Sequence, residues 1–429
     1  MELASDVGPV PLNVGALMVL DAPEDEAVGV ASALAERAVR IPRLSQRLAV
    51  PVSPWRRPYW TDMPGIDLHG RVIIRRCRPP GDRQTLLADA VRLLTQPLPR
   101  SEPLWRATVL TGLEDRRCAL VLVLHHVLAD GIGGLAVLAA LTDSLGSQPE
   151  RTAPPARSAS GRAPVRQRHG AGLVGALDTL RRGHQELGGG RPRRAPATSL
   201  NHPTGPRRVI TSAHVDLPAL RSAARDAGAT INDLLLVAAT GAARDVLRSR
   251  GEYPPELVVS MPVSARATTD THQLGNRVGV IPVRVPLAGT TQERIRAVAD
   301  ATAARRSADR RGTSAALVGP AFRALAATGL LRRFVDRQRL VNLFLTNVKG
   351  PPTPLAIGHA RVTEMVPLTA TQGNVALAFA ALSYRDRLTV TAVLDPDVVG
   401  ESDLLRGSLQ AALDALTVPA RSTDEGSPS

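Results

Sequence analysis

The sequence predicts an α/β protein built in two halves, and three observations carry that reading. Short apolar runs alternate with segments of helical period in both parts of the chain. A stretch dominated by Pro, Arg, Ser and Gly, residues 149–200, separates them. The 429 residues, 44% of them hydrophobic, can bury two cores rather than one. The expected division is a first half over 1–148 and a linker over 149–200 with a short apolar helix at 173–187. A second half over 201–418 and a polar, disordered tail at 419–429 follow.

Taken in order, residues 11–21 read as a strand closed by Asp21-Ala22-Pro23. A helix over 24–40 follows, with Val28, Ala31, Leu34, Ala35 and Ala38 as its apolar face and Pro42 as its stop. After a proline-rich passage through Trp55 and Trp60, Val72-Ile73-Ile74 forms a strand. Residues 83–94 form a helix that gathers Leu86, Leu87, Ala90, Val91 and Leu94 on one side. Strands at 107–110 and 119–124 lead to a helix over 132–145. In the second half, a strand opens at Arg208-Val209-Ile210, helices cover 217–227 and 231–249, and strands fall at 258–263, 279–285, 341–347, 375–383 and 388–394.

Charge would by itself suggest a polyanion or membrane partner, since the formal net charge is +14. Aromatic residues are only 2% of the chain, which leaves little material for base stacking and argues against nucleic acid. Lys349 is the sole lysine among 53 basic residues, a bias that fits gene composition better than phosphate binding. The excess is also local, with twelve arginines against Asp178 and Glu186 in residues 151–211. Cys77 and Cys118 stand far apart in no metal-like spacing, so neither a disulfide framework nor a metal site is expected and a cytoplasmic setting is the default. Glu2 and Asp6 replace the positive start of a signal peptide, and no uninterrupted run of about 18 apolar residues exists to cross a membrane. Residues 314–331 come nearest. They read as a core helix with a basic face, or alternatively as a surface helix resting on anionic lipid.

The most informative stretch is the apolar run 120–124, which ends in His125 and His126 and continues through Val127-Leu128-Ala129 to Asp130 and Gly131. Imidazoles at a strand end sit where loops build sites, and a neutral imidazole can take a proton from a hydroxyl. A carboxylate in the following turn can fix the local geometry, and Gly131 permits that turn. The same pair could equally be satisfied polar caps on a core. Neither half holds a phosphate-binding glycine loop, and there is no nucleophile elbow or cysteine signature, so neither a nucleotide-dependent reaction nor a covalent enzyme intermediate is favoured.

An ordered set of further motifs accompanies HHxxxDG: Pro103-Leu104-Trp105; Ser199-Leu200-Asn201 with Gly205-Pro206-Arg207-Arg208; Asn232-Asp233; Pro262-Val263-Ser264-Ala265-Arg266; Gly275-Asn276; and Asn347-Val348-Lys349-Gly350-Pro351. Over about residues 41–397 the chain thereby resembles the bacterial wax ester synthase/diacylglycerol acyltransferase family of HHxxxDG enzymes. The resemblance implies a chloramphenicol acetyltransferase-like fold, two α/β halves around an inter-domain tunnel. It also implies acyl-CoA-dependent transfer of a fatty acyl group to a long-chain alcohol or diacylglycerol hydroxyl. In that frame His126 is the base and His125 serves orientation or packing. Asp130 is structural and pairs with Arg266. Asn232 and Asp233, whose plainer reading is a helix start, lie near the histidine. Asn276 lies on the tunnel wall, and Asn347 and Pro103-Leu104-Trp105 contact substrate or anchor the first half. No metal or cofactor is implied, with acyl-CoA entering as a substrate. Arginines near the tunnel mouth would attract its phosphates, and peripheral contact with a membrane or lipid inclusion is a further implication.

Three departures bear on substrate. The family's Ser-Pro-Leu-Asp-like opening is expected to be absent or shortened, Lys349 replaces a usual proline, and Arg385-Asp386 replaces a glycine-containing turn. They keep open a secondary-metabolite acyltransferase acting on a non-lipid alcohol, and a non-catalytic protein that holds acyl chains.

Overall fold

The computed structural model describes residue 6 and residues 8–51, 58–128, 131–145, 194–264, 278–309 and 328–418. The first half opens with β1 (Asn13–Pro23), α1 (Ala27–Ala38) and the hairpin β2 (Gln46–Ala49) and β3 (Tyr59–Asp62). It continues through β4 (Val72–Arg76), α2 (Arg83–Leu94), β5 (Trp105–Thr111), β6 (Arg117–His125), α3 (Gly131–Leu141) and the short β7 (Asp143–Ser144). The second half begins with β8 (Val209–Asp216), α4 (Leu217–Asp226), α5 (Ile231–Ser249), β9 (Glu256–Ser264), β10 (Val278–Pro286) and α6 (Thr291–Asp309). It ends with α7 (Leu331–Val335), β11 (Leu343–Val348), β12 (Leu355–Ile357), β13 (Ala360–Leu368), β14 (Leu377–Tyr384), β15 (Arg387–Leu394) and α8 (Ser402–Thr417).

The strands make two large sheets, ordered β4-β5-β6-β1-β13-β12-β7 and β10-β9-β11-β14-β15-β8. Strands β6 and β14 read as continuous apolar runs because they are buried along nearly their whole length, and β15, equally buried, interrupts its apolar residues only with Thr389 and Thr391. At the centre of the first sheet, Gly15 lies opposite Val123 of β6 and Leu368 of β13. A Cβ at Gly15 would fall 2.0 Å from the Leu122 carbonyl oxygen, so only glycine lets β1 and β6 approach this closely.

Strands β12 and β13 come from beyond residue 350, yet they complete the sheet begun by residue 13. The division into halves by sequence position is therefore not the division into sheets. Tyr384, on β14 of the second sheet, fastens the exchange: its hydroxyl accepts from the Leu355 amide (2.8 Å) and donates to the Val362 carbonyl (2.9 Å). Thr391 on β15 donates to Pro367 O (2.8 Å). Leu382, Tyr384 and Val393 accordingly pack into the first core, while a second core forms around α5, α8 and the second sheet.

Side-chain caps mark helix starts, at Asp216 ahead of α4 and Thr290 ahead of α6 as well as at the two helices whose bounds the sequence reading matched. Asp82 accepts from the Thr85 amide (2.8 Å) ahead of α2, and Thr230 with Asp233 closes a capping box ahead of α5. Two expected helices need correction. The segment 24–40 begins as a 3-10 turn at Glu24–Glu26 and is α-helical only over Ala27–Ala38, a phase in which Val30 is buried and Val28 is 65% exposed. The helix expected to reach residue 145 stops at Leu141, because Asp143 and Ser144 pair with the β12 edge. The helix expected at 173–187, the tail expected to be disordered and most of 314–331 lie outside the described residues.

Candidate active site

His125 is the last residue of β6, and His126-Val127-Leu128 turns towards α3. The backbone of both histidines is held from neighbouring strands. The His125 amide donates to Leu104 O (2.9 Å) and the His126 amide to Leu12 O (2.8 Å). Asn13, opposite His125 in the ladder, donates through its side chain to Leu94 O (2.8 Å) and Gln96 O (2.9 Å), tying the C-terminal end of α2 beneath the same spot.

The two imidazoles are not equivalent. His125 is buried, its Nδ1 accepts from the Val127 amide (3.2 Å), and its Nε2 lies 3.2 Å from Asp6 Oδ2. With Nδ1 occupied as an acceptor, the proton belongs on Nε2 and is donated to the carboxylate, which fixes the tautomer. A ring with both nitrogens engaged this way presents no open lone pair to a substrate hydroxyl. His126 is only partly buried, at the head of the turn.

Asp6 is the residue that sequence reasoning missed. Its Oδ1 accepts from the Leu12 amide (3.1 Å), and Arg100 Nη2 lies 3.5 Å from Oδ2. Burial pushes the Asp6 carboxyl up. The His125 hydrogen bond, the Leu12 amide and the Arg100 charge together outweigh burial and hold it below its ordinary value. One carboxylate thus braces the ring of His125 and, through Leu12, the strand end that holds the backbone of His126.

Pro103-Leu104-Trp105 lies directly behind the histidines. Trp105 is fully buried, its indole N–H donating to Leu44 O (2.8 Å), and Leu104 is buried and supplies the carbonyl that holds His125. Arg71, itself paired with Glu102, donates to Pro103 O. The geometry of this motif is that of an anchor for the strand end.

From the second half, Asn347 on β11 donates through Nδ2 to Asn232 Oδ1 at the start of α5 (2.6 Å), joining two residues singled out separately in the sequence. α3, which follows the histidines, packs against β11, and Val348 contacts the first core. Asp233 is wholly buried, with Oδ2 accepting from Thr230 N (2.8 Å) and Oγ1 (2.6 Å) and Oδ1 from Thr302 Oγ1 (2.7 Å). Those bonds fasten α5 to α6. Gly131 is the first residue of α3, whereas Asp130, Arg266 and Asn276 lie outside the described residues.

Both cysteines are buried, and burial foremost pushes each thiol up to about 11. Thiols held protonated in this way are not nucleophiles at neutral pH. Among the described residues no group of His, Cys, Asp or Glu could hold a metal ion, and no helix is long and apolar enough to cross a membrane.

Two sheet-rich lobes sharing a crossed-over strand pair, with an HHxxxDG turn at a buried strand end, define a chloramphenicol acetyltransferase-like acyltransferase fold. Residues 2–235 match the wax ester synthase/diacylglycerol acyltransferase catalytic domain, and residues 274–417 match the WS/DGAT C-terminal domain. The chain belongs to this family and is an acyltransferase. It is 31% identical over 424 residues to the probable diacylglycerol O-acyltransferase tgs1 of Mycobacterium tuberculosis, covering 94% of this chain and 91% of that protein. Among solved structures, the wax ester synthase/diacylglycerol acyltransferase of Marinobacter aquaeolei VT8 superposes with a TM-score of 0.69 at 21% identity, over 95% of this chain and 94% of that one. The first condensation domain of the CDA synthetase superposes at 0.60 and 17% identity, over 99% and 95%. The family match begins at residue 2, so Asp6 lies within the matched region.

Proposed function

We propose that this chain transfers a fatty acyl group from acyl-CoA to the hydroxyl of diacylglycerol or a long-chain alcohol, with His126 as the general base. The observation that carries the assignment is that both His125 ring nitrogens are engaged, by Val127 and Asp6, in a buried position, whereas His126 stands partly exposed at the head of the turn. His126 accepts the hydroxyl proton as the acceptor oxygen attacks the thioester carbonyl. The tetrahedral adduct collapses with cleavage of the C–S bond, and the CoA thiolate takes the proton back from the imidazolium. Asn232 has its oxygen committed to Asn347, so its amide N–H group is what it offers a substrate, a donor of the kind a thioester oxyanion requires. The family resemblance gives Asp130 and Arg266, both outside the described residues, the role of a supporting ion pair. The lipid acceptor implies peripheral contact with a membrane or lipid inclusion. The similarity to a protein named diacylglycerol O-acyltransferase favours diacylglycerol as acceptor.

Release of free thiol from palmitoyl-CoA, measured with diacylglycerol, hexadecanol or a non-lipid alcohol as acceptor, tests the reading. His126→Ala is expected to lower turnover by about 100- to 10,000-fold, the usual worth of general-base catalysis. Turnover equal to that of the parent would remove His126 from the mechanism. Absence of thiol release with every acceptor would favour a non-catalytic acyl-binding protein.

A further inference from the structure

A cleft of about 610 Å³ opens on the helical layer of the second half, where α5, the start of α6 and α8 meet. Its size falls within the roughly 300–1,000 Å³ of small-molecule sites. It lies apart from the histidines and is lined by none of the residues of the HHxxxDG turn or the motifs around it.

Its distinguishing residue is Arg294, which is 4% exposed. The guanidinium is fixed by neutral groups only, with Nε donating to Pro286 O (3.0 Å) and Nη2 to Val237 O (3.1 Å) and Thr240 Oγ1 (2.9 Å). No carboxylate among the described residues forms an ion pair with it. The two acids on the cleft are held by exposed or half-buried arginines, Asp245 by Arg244 (3.2 Å) and Asp403 by Arg406 (3.8 Å). Burial foremost, with repulsion from Arg244 and Arg248 set against attraction to Asp245, lowers the Arg294 guanidinium to about 10, so it remains charged at neutral pH. Burying a cation without a counter-charge is costly.

The third nitrogen, Nη1, makes no hydrogen bond among the described residues and faces Gly241. That glycine sits in the middle of α5, where any other non-proline residue would favour the helix more. A Cβ there would lie 3.6 Å from Nη1, so the missing side chain leaves the nitrogen uncovered beside the cleft. The opposite wall, on α8, is made of Gly407, Ala411 and Ala415, with Leu404 exposed at its end. We propose that this cleft binds an amphiphile whose anionic head, a carboxylate or phosphate, pairs with Arg294, and whose apolar stem lies along Gly407, Ala411 and Ala415.

The test uses the full chain and a dodecanoate bearing a photoactivatable diazirine, with labelled peptides mapped by mass spectrometry. Labelling is expected within residues 237–245 and 402–417. Unlabelled dodecanoate or dodecyl phosphate should displace it at concentrations at least about tenfold lower than dodecanol needs, a ratio equivalent to about 1.4 kcal/mol. Whichever anion competes better identifies the head group. Arg294→Met should weaken labelling at least tenfold and Arg294→Lys less. Ala411→Trp, on the exposed face of α8, should abolish it by filling the cleft without touching the buried arginine. Failure to label these segments, equal competition by dodecanol, or labelling unchanged in both Arg294→Met and Ala411→Trp would overturn the proposal. Stronger competition by inorganic phosphate than by either amphiphile would overturn it as well.

Discussion

Replacing Asp6 tests whether the opening segment organises the histidine pair. In Asp6→Ala the His125 Nε2–H and the Leu12 amide lose their acceptor together, and Arg100 loses a charge partner. A hydrogen bond to a charged group contributes about 1.5–3 kcal/mol. Because the carboxylate is only 14% exposed, little of that is lost to solvent screening, and about 2 kcal/mol of stability is expected to disappear. The functional effect follows from geometry: Leu12 also holds the His126 amide, and displacement of a catalytic group by about 1 Å can cost on the order of 100-fold in rate. Thiol release should therefore fall about 10- to 100-fold in kcat with little change in KM, and Asp6→Asn, which keeps an acceptor oxygen, should recover part of it. The acid dependence has a definite sign. The folded-state value of Asp6 is lowered, so its contribution is present above the unfolded value near 3.8 and is lost as pH falls through the folded value. The stability difference between parent and Asp6→Asn, followed by denaturation at fixed temperature, should be constant near neutrality and shrink below about pH 4. If Asp6→Ala matched the parent in both stability and kcat, the brace would be irrelevant to the site.

Other perturbations probe the frame around the site. Tyr384→Phe strips both hydrogen bonds from the crossed-over strands and leaves the buried Leu355 amide unpaired, which should cost about 1–3 kcal/mol by urea denaturation while the acyl-transfer rate at low temperature is retained. Asp130→Ala and Arg266→Ala should each destabilise by about 3–5 kcal/mol, and the double variant by less than the sum. Strict additivity would show that the two side chains do not pair. Asp233→Asn should lower stability by about 1–2 kcal/mol through the α5 cap and the Thr302 contact, and an effect on rate alone would instead give Asp233 a substrate-facing role.

Local signals carried the sequence reading as far as local physics reaches. The α2 and α5 bounds were readable at 83–94 and 231–249 because an apolar face and an N-terminal cap coincide there. HHxxxDG placed its histidines at a strand end because an unbroken apolar run preceded them. The Ala27 start of α1 was hidden by acids that suit a 3-10 turn as well as a first helical turn, so that Leu34, Ala35 and Ala38 are buried as read while Val30 rather than Val28 is buried in the first turn. Asp6 carried no signal at all: a single carboxylate becomes informative only once the chain has brought it across 119 positions to His125. Strand β13 was not read from the sequence at all, and its pairing with β1 is a contact between segments more than 300 positions apart that no local pattern names.

The exchanged strands also set an order on biosynthesis. When the first 150 residues leave the ribosome, β1 can pair with β6, but the opposite edge of β1 waits for β13, more than 200 residues downstream. Until then the nascent chain presents an apolar, unprotected strand edge, the type of surface on which chains join one another. Recombinant fragments that end in the linker would carry that edge permanently and are expected to aggregate. Co-expressing residues 1–148 with 194–418 should rescue them in soluble form, because the second fragment brings the strand that the first one lacks.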